Sequence, residues 1–184
     1  MAYTHHTFRP EVITMSEKKN KDDNTQEKGQ PDILAHETQI YVEDDMTLSD
    51  MVKLNAGLNY STFTVNGKFY HALEPRISSR LLLTDHLSLK AGYAYMTQYV
   101  HLLSNSNISL PTDLWVPVTE NIHPEQSHQV AGGIYYELEG LCDLSAEGYY
   151  KHLNNLLEYR EGTSFMAGTT SWENKVAMGN GWSY

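Results

Sequence analysis

Apolar and polar residues alternate between Val52 and Tyr95 with the two-residue period of a β-strand. In residues 52–61, Leu54 and Leu58 fall on one side of the strand, and Lys53 falls on the other. In each such strand the apolar side chains lie on one face, and only that face must be shielded from water. The intervening Asn66-Gly67 dipeptide is the strongest short-range turn signal. The pattern therefore predicts an all-β protein made of antiparallel neighbours.

The same alternation recurs along most of the chain. It predicts an antiparallel up-and-down meander of about six to seven strands, with members at residues 37–43, 52–61, 73–81, 87–95, 127–138 and 142–151. Short turns are expected near 45–51, 84–86 and 139–141, and longer links at 64–71, at 97–126 and beyond 151. Short connections at one rim and long ones at the other are typical of outer-membrane barrels.

Two interpretations differ in what covers the apolar face. In a soluble carbohydrate-binding β-domain it would face a closed core, whereas in a transmembrane barrel it would face lipid and leave the polar face to the lumen. Segments of about 10 residues are longer than ordinary globular strands and favour the membrane interpretation. The lipid-facing set is then Leu54, Leu58, Ile77, Leu81, Leu89, Tyr93 and Ile134, and the lumen set is Lys53, Glu74, Arg76, Arg80, Lys90 and Glu147.

Length and charge limit the remaining possibilities. A barrel of about 22 strands needs several times the 184 residues present, so we expect this sheet to be part of a larger transmembrane β-barrel. A mean hydropathy of −0.49 without a long apolar run excludes a bundle of membrane helices. The net charge of −10 argues against nucleic acid as a partner.

The chain divides into three parts by composition. Residues 1–31 are expected to form a polar loop or disordered segment, 32–160 the partial barrel, and 161–184 a loop and the start of a further strand. The amino terminus has neither a basic start nor an apolar run, so it is no secretory signal. We therefore expect the chain to begin inside a longer reading frame.

The link 97–126 is the best candidate for a functional segment, because long links in compact domains usually carry function. Tyr99, His101, Asp113 and Trp115 are its candidate ligand-binding residues. The rings of Tyr99, His101 and Trp115 would suit stacking on a sugar or an aromatic ligand, although such rings also anchor loops against a barrel rim.

Other chemical motifs are weak. His123 and His128 have a zinc-like spacing without further ligands, so no metal or other cofactor is predicted. The pairs Asp44 with Asp45 and Glu137 with Glu139 suit turn roles at strand ends better than glycoside hydrolysis. Cys142 is expected to pack as a small apolar residue. No catalytic motif is present, and we expect no enzyme.

Several segments together resemble consecutive strands of the TonB-dependent outer-membrane receptors over roughly residues 35–160. The most specific run is Leu-Pro-Thr-Asp-Leu-Trp-Val-Pro at 110–117. The supporting segments are 41–44, 54–58, 74–80, 98–103, 129–133 and 147–151.

The resemblance implies a fragment of the C-terminal barrel of such a receptor. A receptor of this family binds a scarce nutrient at the surface of a Gram-negative cell and imports it through a barrel plugged by an amino-terminal domain. The implied partners are membrane lipid, the TonB complex acting through the missing plug region, and an unknown nutrient. This chain shows no plug or TonB-contacting segment, so the expectation is that it does not transport alone.

Overall fold

The computed structural model describes residues 1–9, 32–103, 114–138, 140–160 and 172–184. These residues form an all-β structure with one short 3₁₀ turn at Trp172–Lys175, which confirms the predicted fold class. The strands are β1 (Ala2–Phe8), β2 (Ile33–Thr47), β3 (Val52–Val65), β4 (Lys68–Thr84), β5 (Leu87–Gln98), β6 (Val100–Leu103), β7 (Leu114–Pro117), β8 (Glu125–Leu138), β9 (Cys142–Tyr159) and β10 (Val176–Ser183).

Eight of these strands form one antiparallel meander in the order β1-β2-β3-β4-β5-β8-β9-β10. In the part of the chain that the structure describes, the remaining two strands, β6 and β7, pair only with each other and form a hairpin inserted between β5 and β8. Within the described ranges, β1 and β10 have no outer neighbour, so the sheet is open. The predicted meander is confirmed, with a larger main sheet than the sequence indicated.

The strand register separates two faces. Lys53 is paired with Arg80, and Arg80 with Lys90, so these three side chains share the face that we call the inner face. Leu58 and Ile77 lie on the opposite, outer face, where they are 43% and 46% exposed. The register assigns every residue of the two predicted sets to its expected face.

The outer face is therefore apolar and uncovered. Ile134 on β8 is 52% exposed, and Leu73 on β4 is 55% exposed. In the described part of the chain, the closed core required by a soluble carbohydrate-binding β-domain is not formed against this face. An exposed apolar band of this extent is what a lipid-facing sheet presents.

The inner face encloses a trough of about 910 Å³. Lys53, Arg80, Lys90 and Glu147 are among the side chains that line it. The ammonium of Lys90 lies 3.9 Å from the ring centre of Tyr135, and the Tyr135 hydroxyl donates a hydrogen bond of 2.6 Å to Glu147. The trough is thus lined by charged groups that neutralise one another in part.

The connections follow the predicted asymmetry with one exception. The turns after β2, β4 and β8 are short and share one rim, which we call the short-turn rim, whereas the long links after β1, β5 and β9 share the other, the long-link rim. The long link expected at 64–71 is wrong, because β3 and β4 are joined by Asn66 and Gly67 alone. Both residues have positive φ, at 48° and 76°, as a tight hairpin turn requires.

Three other expectations need correction. Residues 2–8 form strand β1 rather than part of a polar loop, while residues 10–31 lie outside the described ranges. The link 97–126 is not structureless, because it contains the β6–β7 hairpin. Cys142 is exposed at the start of β9 instead of being packed.

No helix among the described residues is long and apolar enough to cross a membrane.

Candidate functional site

The described residues between β5 and β8 fold onto the inner face near the long-link rim. We call residues 99–103 together with 114–124 the inner segment. Tyr99 and Val118 pack with Phe8, Phe63 and Ala35, which are contributed by β1, β3 and β2. The inner segment therefore occupies space in front of the sheet rather than extending away from it.

Tyr99 fixes one side of the inner segment. Its ring stacks on Phe63 with a centroid distance of 5.2 Å, and its hydroxyl lies 2.9 Å from the hydroxyl of Ser61. Ser61 in turn donates to the buried carboxylate of Glu74, which also accepts a hydrogen bond from Asn59. Burial, with a contribution from the nearby Glu74 charge, raises the pKa of Tyr99 to about 12. The phenol therefore remains a neutral hydrogen-bonding group.

Further contacts hold the following stretch to β4. The hydroxyl of Tyr70 donates a 2.6 Å hydrogen bond to the carbonyl of Thr119, and Lys68 forms a 2.7 Å ion pair with Glu120. The ion pair is exposed and contributes little stability, whereas the Tyr70 bond is partly buried.

The opposite side of the inner segment is apolar. Leu103, Val116 and Ile122 pack with Trp172 and Val176, which lie just before and at the start of β10. The inner segment is thus attached to β3 and β4 at one end of the sheet and to the β10 end at the other. It bridges the inner face.

Tyr99 and Trp115 line a cavity of about 400 Å³ beside the inner segment. The other lining residues are His6, Phe8, Glu37, Thr97, Gln98 and Val100. Trp115 is 55% exposed, so its ring is available to a ligand, while Tyr99 is buried in the cavity wall. His6 forms a 2.9 Å contact with Glu37, and Glu37 also accepts a hydrogen bond from Gln39.

The structure therefore brings together two of the four predicted site residues. His101 is almost fully buried outside this cavity lining, with its Nδ1 3.8 Å from a carboxylate oxygen of Glu125. Asp113 lies outside the described residues. Sequence reasoning missed His6 and Phe8, because β1 carries no apolar alternation that would have indicated a strand. It also missed Glu37, which lies in the predicted strand 37–43, because only the pairing of β2 with β1 brings Glu37 beside His6 at the cavity.

The weaker motifs are dispersed. His128 stacks on Tyr95 on the outer face, at a centroid distance of 4.6 Å. Asp44 and Asp45 are successive residues of β2, so their side chains project to opposite faces. Glu139 lies outside the described ranges, and within them no group of three or more His, Cys, Asp or Glu side chains is placed to hold a metal ion.

Comparisons with known proteins identify the family of this architecture. The sequence matches the family described as "TonB dependent receptor-like, beta-barrel" over residues 8–183. No match was found among the curated proteins. The FrpB iron transporter from Neisseria meningitidis, F3-3 variant, is similar in fold, with a TM-score of 0.54 and 16% sequence identity over 73% of this chain.

The match spans 21% of the length of that transporter. At this identity it supports the fold, while the family match covers nearly the whole sequence. The open meander, the two unlike faces and the unequal rims agree with both comparisons. The chain belongs to the TonB-dependent receptor barrel family, whose members are transporters of the Gram-negative outer membrane, and it corresponds to a fragment of such a barrel.

Proposed function

We propose that this chain forms part of the barrel wall of an outer-membrane receptor that binds a scarce nutrient at the cell surface and imports it. The TonB complex supplies the energy by acting on a plug region outside this chain. The chain alone is not transport-competent, because in the described residues the charged trough is bounded by the sheet on one side and is open on the other. Lipid covers the outer face.

The observation that carries this proposal is the bridge made by the inner segment across the inner face. It separates the trough from the long-link rim and forms a cavity at that rim, where an external ligand would arrive first. The long-link rim is the extracellular rim in barrels of this kind.

The lining indicates the kind of ligand that this cavity would contact. Trp115 offers an accessible ring face, and Glu37 with His6 offers polar groups on the opposite strands. A ligand with a flat or ring-shaped apolar surface and hydrogen-bond donors at its edge would use both. This chemistry fits sugars and aromatic nutrient carriers, and the fold neighbour's cargo, iron, makes iron carriers a further group to test.

Changing Trp115 to Ala in the complete receptor tests the proposal. Loss of a central aromatic contact typically costs more than 1 kcal/mol, so we expect ligand binding to weaken by about tenfold. The matched control is Trp182→Ala, because Trp182 is a similarly exposed tryptophan on β10 outside the cavity lining.

Binding of candidate nutrients to receptor in detergent, and uptake by cells, would be measured in parallel. Equal effects of the two substitutions would contradict ligand contact at this cavity. Normal uptake by cells that produce only the 184-residue chain would contradict its proposed dependence on the rest of the receptor.

A further inference from the structure

Two histidines face each other across the first strand pair. His5 of β1 and His36 of β2 are direct partners in the antiparallel register. Directly opposite residues have Cβ atoms about 4.5 to 5.5 Å apart, which is close enough for their side chains to interact. The two imidazole rings are 4.8 Å apart between centroids and tilted by 42°.

The ring nitrogens are placed as a metal ion requires. The Nδ1 atoms of His5 and His36 are 3.3 Å apart. Two imidazole nitrogens bound at about 2.0 to 2.1 Å to one tetrahedral ion are separated by about 3.3 Å. The separation of the two nitrogens therefore matches that of two ligands on one ion.

The position of the pair gives it access to water. Both side chains are exposed on the outer face, and His36 is also paired with Thr64, which directly precedes Val65 and the Asn66-Gly67 turn. The pair consequently lies close to the long-link rim, away from the middle of the apolar band. The remaining coordination positions would be open to solvent.

A third side chain adjoins the same nitrogen. The hydroxyl of Tyr3 lies 2.7 Å from Nδ1 of His36. A bound ion would replace that hydrogen bond and leave the phenol beside the ion, where it could contact a coordinated water. Binding thus replaces two surface contacts of the His36 nitrogen, with Tyr3 and with His5, by two metal bonds.

We propose that His5 and His36 form a surface site for a divalent transition-metal ion that accepts imidazole ligands, such as Zn²⁺, Ni²⁺ or Cu²⁺. The site is separate from the cavity of the proposed function. A bound ion would link the edge strand β1 to β2 and so hold together the two ends of the link 9–32.

The test uses the complete receptor in detergent micelles, with Zn²⁺ and Ni²⁺ binding measured by calorimetry. We expect His36→Gln and His5→Gln each to weaken binding by at least about tenfold, which is the scale that even outer-shell changes reach at metal sites. The matched control is His71→Gln, because His71 is exposed on the outer face of β4 but is paired with Thr62. Its binding should be unchanged.

Electron paramagnetic resonance with Cu²⁺ gives a second readout, whose first result comes from the unaltered receptor and therefore does not depend on folding of the variants. The expected spectrum shows coupling to two imidazole nitrogens, and this coupling should disappear in the His5 and His36 variants but not in the His71 variant. A spectrum with one nitrogen, or equal binding by all variants, would overturn the site and leave the 3.3 Å contact as a hydrogen bond between rings.

Discussion

An arginine in place of Leu58 tests whether the outer face meets lipid. Leu58 is the seventh residue of the 14-residue strand β3. At a rise of about 3.3 Å per residue it lies ~20 Å along the strand from Val52, or ~14 Å above the short-turn rim for a tilt of about 45°. This is close to the middle of a hydrocarbon layer about 30 Å thick.

The expected cost follows from that depth. An arginine on the lipid face costs about 2 to 4 kcal/mol at the bilayer midplane and about 0 to 1 kcal/mol near the interfaces. Leu81 is on the same outer face but is paired with Val52, the first residue of β3. We therefore expect Leu58→Arg to destabilise the complete receptor by about 2 to 4 kcal/mol and Leu81→Arg by less than about 1 kcal/mol.

Urea unfolding of the complete receptor in lipid vesicles, followed by the mobility shift of folded barrels on gels, measures both values. Lys53→Gln on the inner face is the second control and should cost little, because Lys53 is exposed to the trough. If the two arginine variants lose the same free energy, depth has no effect and the lipid-facing assignment fails. A water-exposed outer face would give this result.

Three further predictions concern the turn and the inner segment. Gly67→Ala should cost about 1 to 2 kcal/mol in urea unfolding, because Gly67 has a φ of +76° that disfavours a side chain. Since burial raises the pKa of Tyr99 from 10.0 to about 12, Tyr99 should contribute a loss of about 2 to 3 kcal/mol of stability between pH 10 and pH 12, so the fall in stability over that range should be smaller by this amount in Tyr99→Phe. Glu74→Ala should cost about 2 to 4 kcal/mol in thermal or urea unfolding because Asn59 and Ser61 lose their buried acceptor, whereas Glu74→Gln should cost less.

The sequence predicted the parts of the fold that depend on local alternation. β3 to β5 follow each other through short turns, and their two faces differ sharply in polarity, so the period of two was enough to assign Leu58 and Lys53 to opposite faces. The Asn66-Gly67 dipeptide also correctly predicted a turn. The long link expected at that position was wrong. The preference of Asn-Gly for a two-residue turn determines this connection, and it overrides the alternation of short and long connections seen elsewhere.

The parts that sequence reasoning missed depend on distant contacts. In β1, His6 and Phe8 face inward while Tyr3 and His5 face outward, so neither face is distinctly apolar and the strand is specified by its pairing with β2. Likewise, Tyr99 finds its hydrogen-bond partner in Ser61, 38 residues earlier. No periodicity within the link itself could have indicated that the inner segment turns back onto β3.

The open edges of the described sheet support the proposal that its two faces do not work alone. β1 and β10 each present backbone N–H and C=O groups that have no strand beside them in the described residues. In hydrocarbon each unsatisfied group costs several kcal/mol, so an outer face made for lipid requires further strands at both edges. Those strands would also close the trough, which turns its charged inner face from an open surface into the wall of a lumen. Both faces therefore require the same additional strands. The outer face needs them to pair its edge backbone groups in lipid, and the inner face needs them to enclose the trough.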